Sequence, residues 1–249
     1  MINAALMKKE LRETAWKHVL ALAVLSAIGV TLPFVFDWLG KFQVEIGGAL
    51  GEAYRRQMSD FTLYMWANWY GKNLYQMLVI YAVVVGMAQL AGESARRTAG
   101  FLFSKPLGRE AIYRTKFIAG ASAMIAVMTV ATGLTYLAVF AAGKEVPVLF
   151  MAGLVVNAAG LLLIYSLALM FSVLFDDQLK AGAAAFGTAL VLGIPGWIPG
   201  WGMYSIYRQM HAWPVYTGDG FQLGAIVIML PAAWIFYRIG LSKLLKKDF

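Results

Sequence analysis

Apolar residues crowd into six stretches of this chain, at about residues 19–39, 74–91, 117–142, 148–175, 181–197 and 221–237. Each approaches or exceeds the roughly 20 residues that carry a helix across a bilayer. None alternates polar and apolar positions as a membrane-barrel strand does, and an isolated span has to satisfy its own backbone hydrogen bonds. The pattern therefore predicts an all-α integral membrane protein with about six transmembrane helices, a single transmembrane domain over residues 1–249. Ahead of the first stretch, residues 1–18 carry a different period. Ala4, Met7, Leu11 and Ala15 fall on one helical face, and Lys9, Glu13 and Lys17 follow one another at i, i+4 on another. That predicts an amphipathic helix lying at the membrane interface, with Trp16 at headgroup level. The first apolar stretch is too long for a secretory signal and lacks a small-x-small cleavage site, so it reads as a retained span.

Composition agrees, with 61% hydrophobic and 14% charged residues and a net charge of +8. The charge is distributed by topology. With six spans both termini share a side, and that side carries Lys8, Lys9, Arg12, Lys17, Arg96, Arg97, Lys105, Arg109, Arg114, Lys116, Lys180, Arg238, Lys243, Lys246 and Lys247, fifteen of the 21 basic residues. The remaining six are Lys41, Arg55, Arg56, Lys72, Lys144 and Arg208. The positive-inside rule then puts both termini in the cytoplasm of a plasma (cell inner) membrane protein. Charges spread over short juxtamembrane segments offer no groove for nucleic acid. Without cysteine, neither disulfides nor thiolate metal sites contribute.

Two segments on the opposite side stand out. Residues 40–72 end in an aromatic cluster, Phe61, Tyr64, Trp66, Trp69 and Tyr70, expected at the outer interface or as an outward extension of the second span. Residues 193–220 are rich in proline, glycine and aromatics, which predicts a broken outer segment of short helices rather than a straight one.

Catalytic chemistry is missing. His18 and His211 fall at opposite faces of the predicted bundle and cannot share a metal or relay a proton. Gly218-Asp219-Gly220 reads as a turn. No GxxxxGK[ST] loop occurs, so ATP is not bound by a phosphate loop of this chain. Polar groups within the spans, Gln76, Gln89, Thr129, Thr132, Thr135, Asn157, Ser166 and Thr188, are the kind that hold helices together. No ionisable residue falls in the middle of a span, which argues against ion-coupled carriage and charge-selective channels. No catalytic residue, cofactor ligand or metal ligand is assigned. If such a chain moves anything, the driving force comes from a partner.

The place for a partner is residues 92–116, GESARRTAGFLFSKPLGREAIYRTK, with six basic residues and two acids. The order Glu93, Thr98-Ala99-Gly100, Phe101-Leu102-Phe103-Ser104, Lys105-Pro106-Leu107, Gly108-Arg109 and Lys116 resembles the cytoplasmic signature of exporter-type ABC transporter permeases of the second family, with Thr-Ala-Gly where Gly-Thr is usual. The resemblance extends to Lys8-Lys9-Glu10-Leu11, the six spans, the broken segment and the basic tail. The importer-type Glu-Ala-Ala loop fits less well. The resemblance implies a permease dimer, of two copies or of this chain with a related one, working with a separate ABC ATP-binding subunit that holds ATP and Mg. It also implies a short coupling helix, about residues 93–104 and ended by Pro106, between the second and third spans. On that reading the partner contacts are Glu93, Arg96, Arg97, Thr98, Gly100, Phe101, Leu102, Phe103, Ser104, Pro106, Arg109 and Lys116. A membrane anchor or assembly factor using the same loop, and a polytopic membrane enzyme, are the alternatives.

Overall fold

The computed structural model describes residues 3–41, 48–104 and 106–247, so Lys105 and residues 42–47 lie outside the described residues, as does the Asp248-Phe249 end of the tail. Among the described residues the fold is helical throughout, without strands. The helices are α1 (Ala4–Gly40), α2 (Gly48–Ser59), α3 (Phe61–Asn68), α4 (Tyr75–Gly86), α5 (Ala91–Ala95), α6 (Ala99–Phe103), α7 (Arg109–Ala141), α8 (Gly153–Leu174), α9 (Gln178–Gly193), α10 (Ile206–Met210), α11 (Trp213–Thr217) and α12 (Leu223–Lys246). Five helical stretches are long and apolar enough to cross a membrane: Ala4–Gly40, Arg109–Ala141, Val148–Leu174, Gln178–Trp197 and Leu223–Lys246. The stretch at residues 74–91, expected as a span, falls mostly in the C-terminal part of a longer composite. α3, a π-helical turn (Trp69–Leu74) and α4 follow one another without a gap over residues 61–86.

The N-terminal segment departs from expectation in two ways. It is not a separate interfacial helix but the first turns of a continuous 37-residue α1, which Asn3 opens by accepting a hydrogen bond from the Leu6 amide. Nor does it dock through its apolar face. Leu6, Glu10, Lys17 and His18 are buried, whereas Ala4 and Ala15 are exposed. Burying polar groups there is tolerated because each meets a partner inside, Glu10 the Lys116 ammonium, Lys17 the Val84 carbonyl at 3.1 Å and His18 the Tyr81 hydroxyl, while Ala4 and Ala15 face outward.

Small residues let the helices approach closely, the usual basis of packing where water supplies no hydrophobic drive between spans. α1 meets α7 at Gly29, where a Cβ would lie 1.8 Å from Thr135 Oγ1 and 2.8 Å from the Trp69 ring. α4 meets α8 at Gly86, against Ala168 Cβ. Of the two placements expected for the aromatic cluster, the structure has the extension of the helix at residues 74–91, and three of its rings are packed in the core. Trp66, Trp69 and Tyr70 are almost wholly buried, and each polar tip is satisfied inside: Trp66 Nε1 donates to the His211 carbonyl (2.9 Å), Trp69 Nε1 to Thr132 Oγ1 (3.2 Å) and the Tyr70 hydroxyl to the Phe150 carbonyl (2.6 Å). With those bonds made, the rings contribute large buried area at no polar cost.

Contacts near the helix ends sort the chain into two poles. At one, the Asn3 amide donates to Thr115 Oγ1 and Lys247 pairs with Asp176 at 2.7 Å, so the N-terminal residues, the α4–α7 connection, the α8–α9 turn and the C-terminal end of α12 lie together. At the other, Asp37 pairs with Lys144 at 2.7 Å, and the Tyr216 hydroxyl donates to Asp60, the N-cap of α3. Residues 194–217 close this pole as two 3-10 turns (Ile194–Trp197, Gly202–Tyr204) followed by α10 and α11. Asn157 of α8 holds the segment by donating to the Met210 carbonyl at 2.7 Å.

Candidate functional site

The loop at residues 92–116 is not one helix but two, each of five residues, hinged at Arg97. Arg97 takes the left-handed conformation (φ 58°), and the Thr98 amide returns to the Glu93 carbonyl at 2.9 Å, the six-to-one bond of a Schellman helix end. A continuous helix over residues 93–104 is therefore excluded well before Pro106. α5 ends at Arg96, the chain reverses, and α6 begins after Thr98.

Beneath the hinge lies a buried ionic cluster. Lys116, at the start of α7 and 1% exposed, places Nζ 2.7 Å from Glu10 Oε1 and 3.1 Å from Glu93 Oε1. Lys9 Nζ lies 3.1 Å from the same Glu93 oxygen and 3.5 Å from Glu13. The Thr98 hydroxyl donates to the other oxygen, Glu93 Oε2. Burial alone would raise the Glu93 carboxyl, but the Lys116 ammonium, the Thr98 hydroxyl and Lys9 outweigh it and bring the pKa down to about 2. Glu93 is thus ionised at any physiological pH. The carboxylates of Glu10, Glu13 and Glu93 lie within 4.8 Å of one another, a grouping that could hold a metal ion. Here the lysine ammonium groups already neutralise Glu10 and Glu93, which gives the cluster the character of a latch between α1, α5 and α7.

An apolar contact reinforces the latch. Leu102 of α6 is 4% exposed and packs with Leu6 of α1 and Ile112 of α7, with Phe103 and Leu107 against them. Arg109 clamps a fifth element: its Nη1 lies 3.2 Å from the Leu244 carbonyl, 3.2 Å from that of Leu245 and 2.5 Å from that of Lys247, so a guanidinium caps the carbonyls at the end of α12.

The residues expected to contact a partner differ in exposure: Glu93, Leu102 and Lys116 are buried within the chain, and Arg109 is half-buried against the end of α12. Arg96, Arg97, Thr98, Gly100, Phe101, Ser104 and Pro106 are exposed, with Phe101 at 69%. Phe103 is half-buried beside Arg109. Between α6 and the first turns of α1 runs a cleft of about 580 Å³, walled by Leu6, Phe101, Leu102, Pro106 and Leu107, with Lys9, Glu13 and Arg96 at its rim. Glu10 is the residue that sequence reasoning missed as part of the site. Its partner Lys116 stands 106 positions away, and no local pattern connects the two.

A family model for ABC-2 family transporter proteins matches residues 4–211. The chain belongs to the ABC-2 transporter family. The match takes in α1, the hinged loop and every helix through α10, and it identifies the chain as a multi-pass membrane protein and a permease subunit. Membership implies association with an ABC ATP-binding subunit. No curated protein and no solved structure matches the chain.

Proposed function

We propose that this ABC-2 permease is the membrane half of an ATP-driven exporter in the plasma membrane, with both termini cytoplasmic and residues 61–86 as the sixth span. It works as a dimer, of two copies or with a related chain, and forms the translocation path there. A separate subunit binds and hydrolyses ATP with Mg and docks on the exposed side of α5 and α6. Support for the orientation comes from the basic residues, concentrated at the pole that holds both chain ends and the hinged loop.

The observation that carries the reading is the latch beneath α5 and α6. A force applied to these helices meets Glu93, which is tied to Lys116 of α7 and Lys9 of α1, and Leu102, which is wedged between the same two helices. A partner's stroke is thereby delivered to two long helices at once, through contacts too tightly packed to deform in isolation.

The test separates contact from platform. Phe101→Ala removes an exposed aromatic anchor, a loss of about 2 kcal/mol or more if it docks in the partner. Expected is normal membrane expression with lost pull-down of the ATP-binding subunit, while Arg55→Ala in the outer loop changes neither. Unaltered association and transport in Phe101→Ala, and in the Phe101→Ala, Phe103→Ala double variant, would show that the loop only sets topology.

A further inference from the structure

At the latch pole, α4 carries a groove on either side of an outward-facing ridge. One groove, of about 160 Å³, runs between α1 and α4, walled by Trp16, Lys17, Leu20 and Val24 against Met77 and Tyr81. The other, of about 260 Å³, runs between α4 and α9, walled by Val83 and Met87 against Leu179, Gly182, Ala183 and Phe186. Ile80 and Val84 line both and form the ridge between them. The walls are open, with Leu20 at 56%, Ile80 at 47% and Leu179 at 77% exposed. Lys17 to Val24, Met87 to Ile80 and Leu179 to Phe186 are each seven residues, about 10 Å at 1.5 Å per residue. Both grooves therefore begin at the latch ends of their helices and stop within the nearer half of a hydrocarbon core roughly 30 Å thick.

Where the grooves begin, positive charge lacks acidic partners. Lys17 Nζ donates to the Val84 carbonyl at 3.1 Å, which offsets the negative end of the α4 dipole. Among the described residues no carboxylate lies within 4 Å of Lys17, Arg96 or Lys180. Lys17 and Arg96 line one small pocket of about 30 Å³. Lys180 stands in the first turn of α9, whose Gln178 lies against Gly92 of α5, one turn before Arg96. Nearby acids are engaged elsewhere: Glu10 and Glu93 hold Lys116, Glu13 faces Lys9, Asp176 holds Lys247, and Asp177 accepts from the Lys180 amide at 2.8 Å.

We propose that the latch end of α4 holds one anionic diacyl phospholipid as a resident ligand, its phosphate between Arg96 and Lys180 and its two acyl chains in the two grooves. Two apolar grooves flanking one ridge suit a ligand with two chains, and a basic rim at their common end suits an anionic head. A single-chain amphiphile fills one groove only, and a free anion fills neither. Arg96 offers phosphate oxygens a planar fork and Lys180 a point charge. Both grooves are open furrows on the outside of the bundle, so the lipid is a fixed ligand and not cargo. It comes from the leaflet at the latch pole, the cytoplasmic one in the orientation proposed above, and the site rests on the membrane placement of the chain and not on transport.

Photolabelling tests it. The purified full chain is placed in phosphatidylcholine nanodiscs containing a minor fraction of phosphatidylglycerol that carries a diazirine in each acyl chain, with diazirine phosphatidylcholine as the comparison. Expected is labelling of peptides 16–25 and 179–186 together, by phosphatidylglycerol about tenfold above phosphatidylcholine, the worth of a hydrogen bond to a charged group. Arg96→Gln combined with Lys180→Gln abolishes the preference, Arg96→Lys combined with Lys180→Arg retains it, and Arg55→Ala leaves it unchanged. Arg96 and Lys180 are exposed and in no ion pair among the described residues, so these variants keep the fold. Equal labelling by the two lipids, labelling of one peptide only, undiminished preference in the glutamine variant, or displacement by free glycerol phosphate would overturn the proposal. Adding the ATP-binding subunit with ATP is expected to leave the label in place, and depletion would mark the lipid as cargo and overturn its assignment as a resident. Because the main readout is binding by the chain alone, it can succeed even if the transport reading fails.

Discussion

At the scale of single residues, the informative side chains are charged ones placed where charge is costly. Lys116 is tolerated in the interior because Glu10 and Glu93 both face it, and removing one member of such a set strands the others. Lys116→Met is expected to lower stability by about 3 kcal/mol or more, read as the unfolding midpoint in detergent. The Glu93 contribution has a definite pH window. Its folded-state pKa is depressed from 4.5 to about 2, so the stabilisation is complete above the ordinary value and fades as pH falls toward the lower one. The gap between wild type and Glu93→Gln should be wide at about pH 7, roughly halved by about pH 3 and mostly closed by about pH 2. A pH-independent gap would assign the loss to packing instead. Arg97 makes the opposite kind of prediction. Its left-handed backbone costs a non-glycine residue about 1 kcal/mol, so Arg97→Gly is expected to raise the midpoint while keeping the hinge. A lowered midpoint would mean that the Arg97 side chain holds the turn.

At the scale of elements, the helices are joined by small residues at their crossings. α1 and α7 touch at Gly29, where any side chain collides with Thr135 and the Trp69 ring. Gly29→Val should therefore push the two helices apart and cost about 2 kcal/mol. Gly187→Ala, whose added Cβ meets nothing within 4 Å, should be neutral or slightly stabilising. Comparing detergent unfolding midpoints of the two checks this, and equal effects would mean that the crossing is looser than its distances indicate. The hinge between α5 and α6 shows how an element escapes sequence pattern. Residues 93–104 contain no glycine at the turn itself, and nothing in the local spacing marks Arg97 as the residue that reverses the chain.

At the scale of the whole molecule, the two poles define the topology. Lys247 with Asp176 and Lys9 with Glu93 gather both chain ends and the hinged loop at one pole, while Asp37 with Lys144 marks the other. A chain without cysteine gives a silent background for labelling. In intact cells an impermeant maleimide is expected to react with Ser59→Cys and not with Ser104→Cys, and the reverse would invert the orientation. The sequence by itself determined the class of protein, its helical character and the loop that resembles the family signature. Those are properties of runs of apolar residues, of local charge and of short spacings, all carried within a few turns of chain. Only the tertiary structure decided that Trp66 of α3 and Trp69 and Tyr70 of the π-helical turn are core, that the first turns of α1 bury Glu10 and Lys17, and that Glu93, Leu102 and Lys116 are buried while Arg109 reaches α12. Each of those outcomes depends on a partner far away in sequence, Thr132 for Trp69, Lys116 for Glu10, the last carbonyls of α12 for Arg109. Whether a charge faces solvent or is buried depends on whether folding brings a counter-charge within reach, and local pattern carries no record of that.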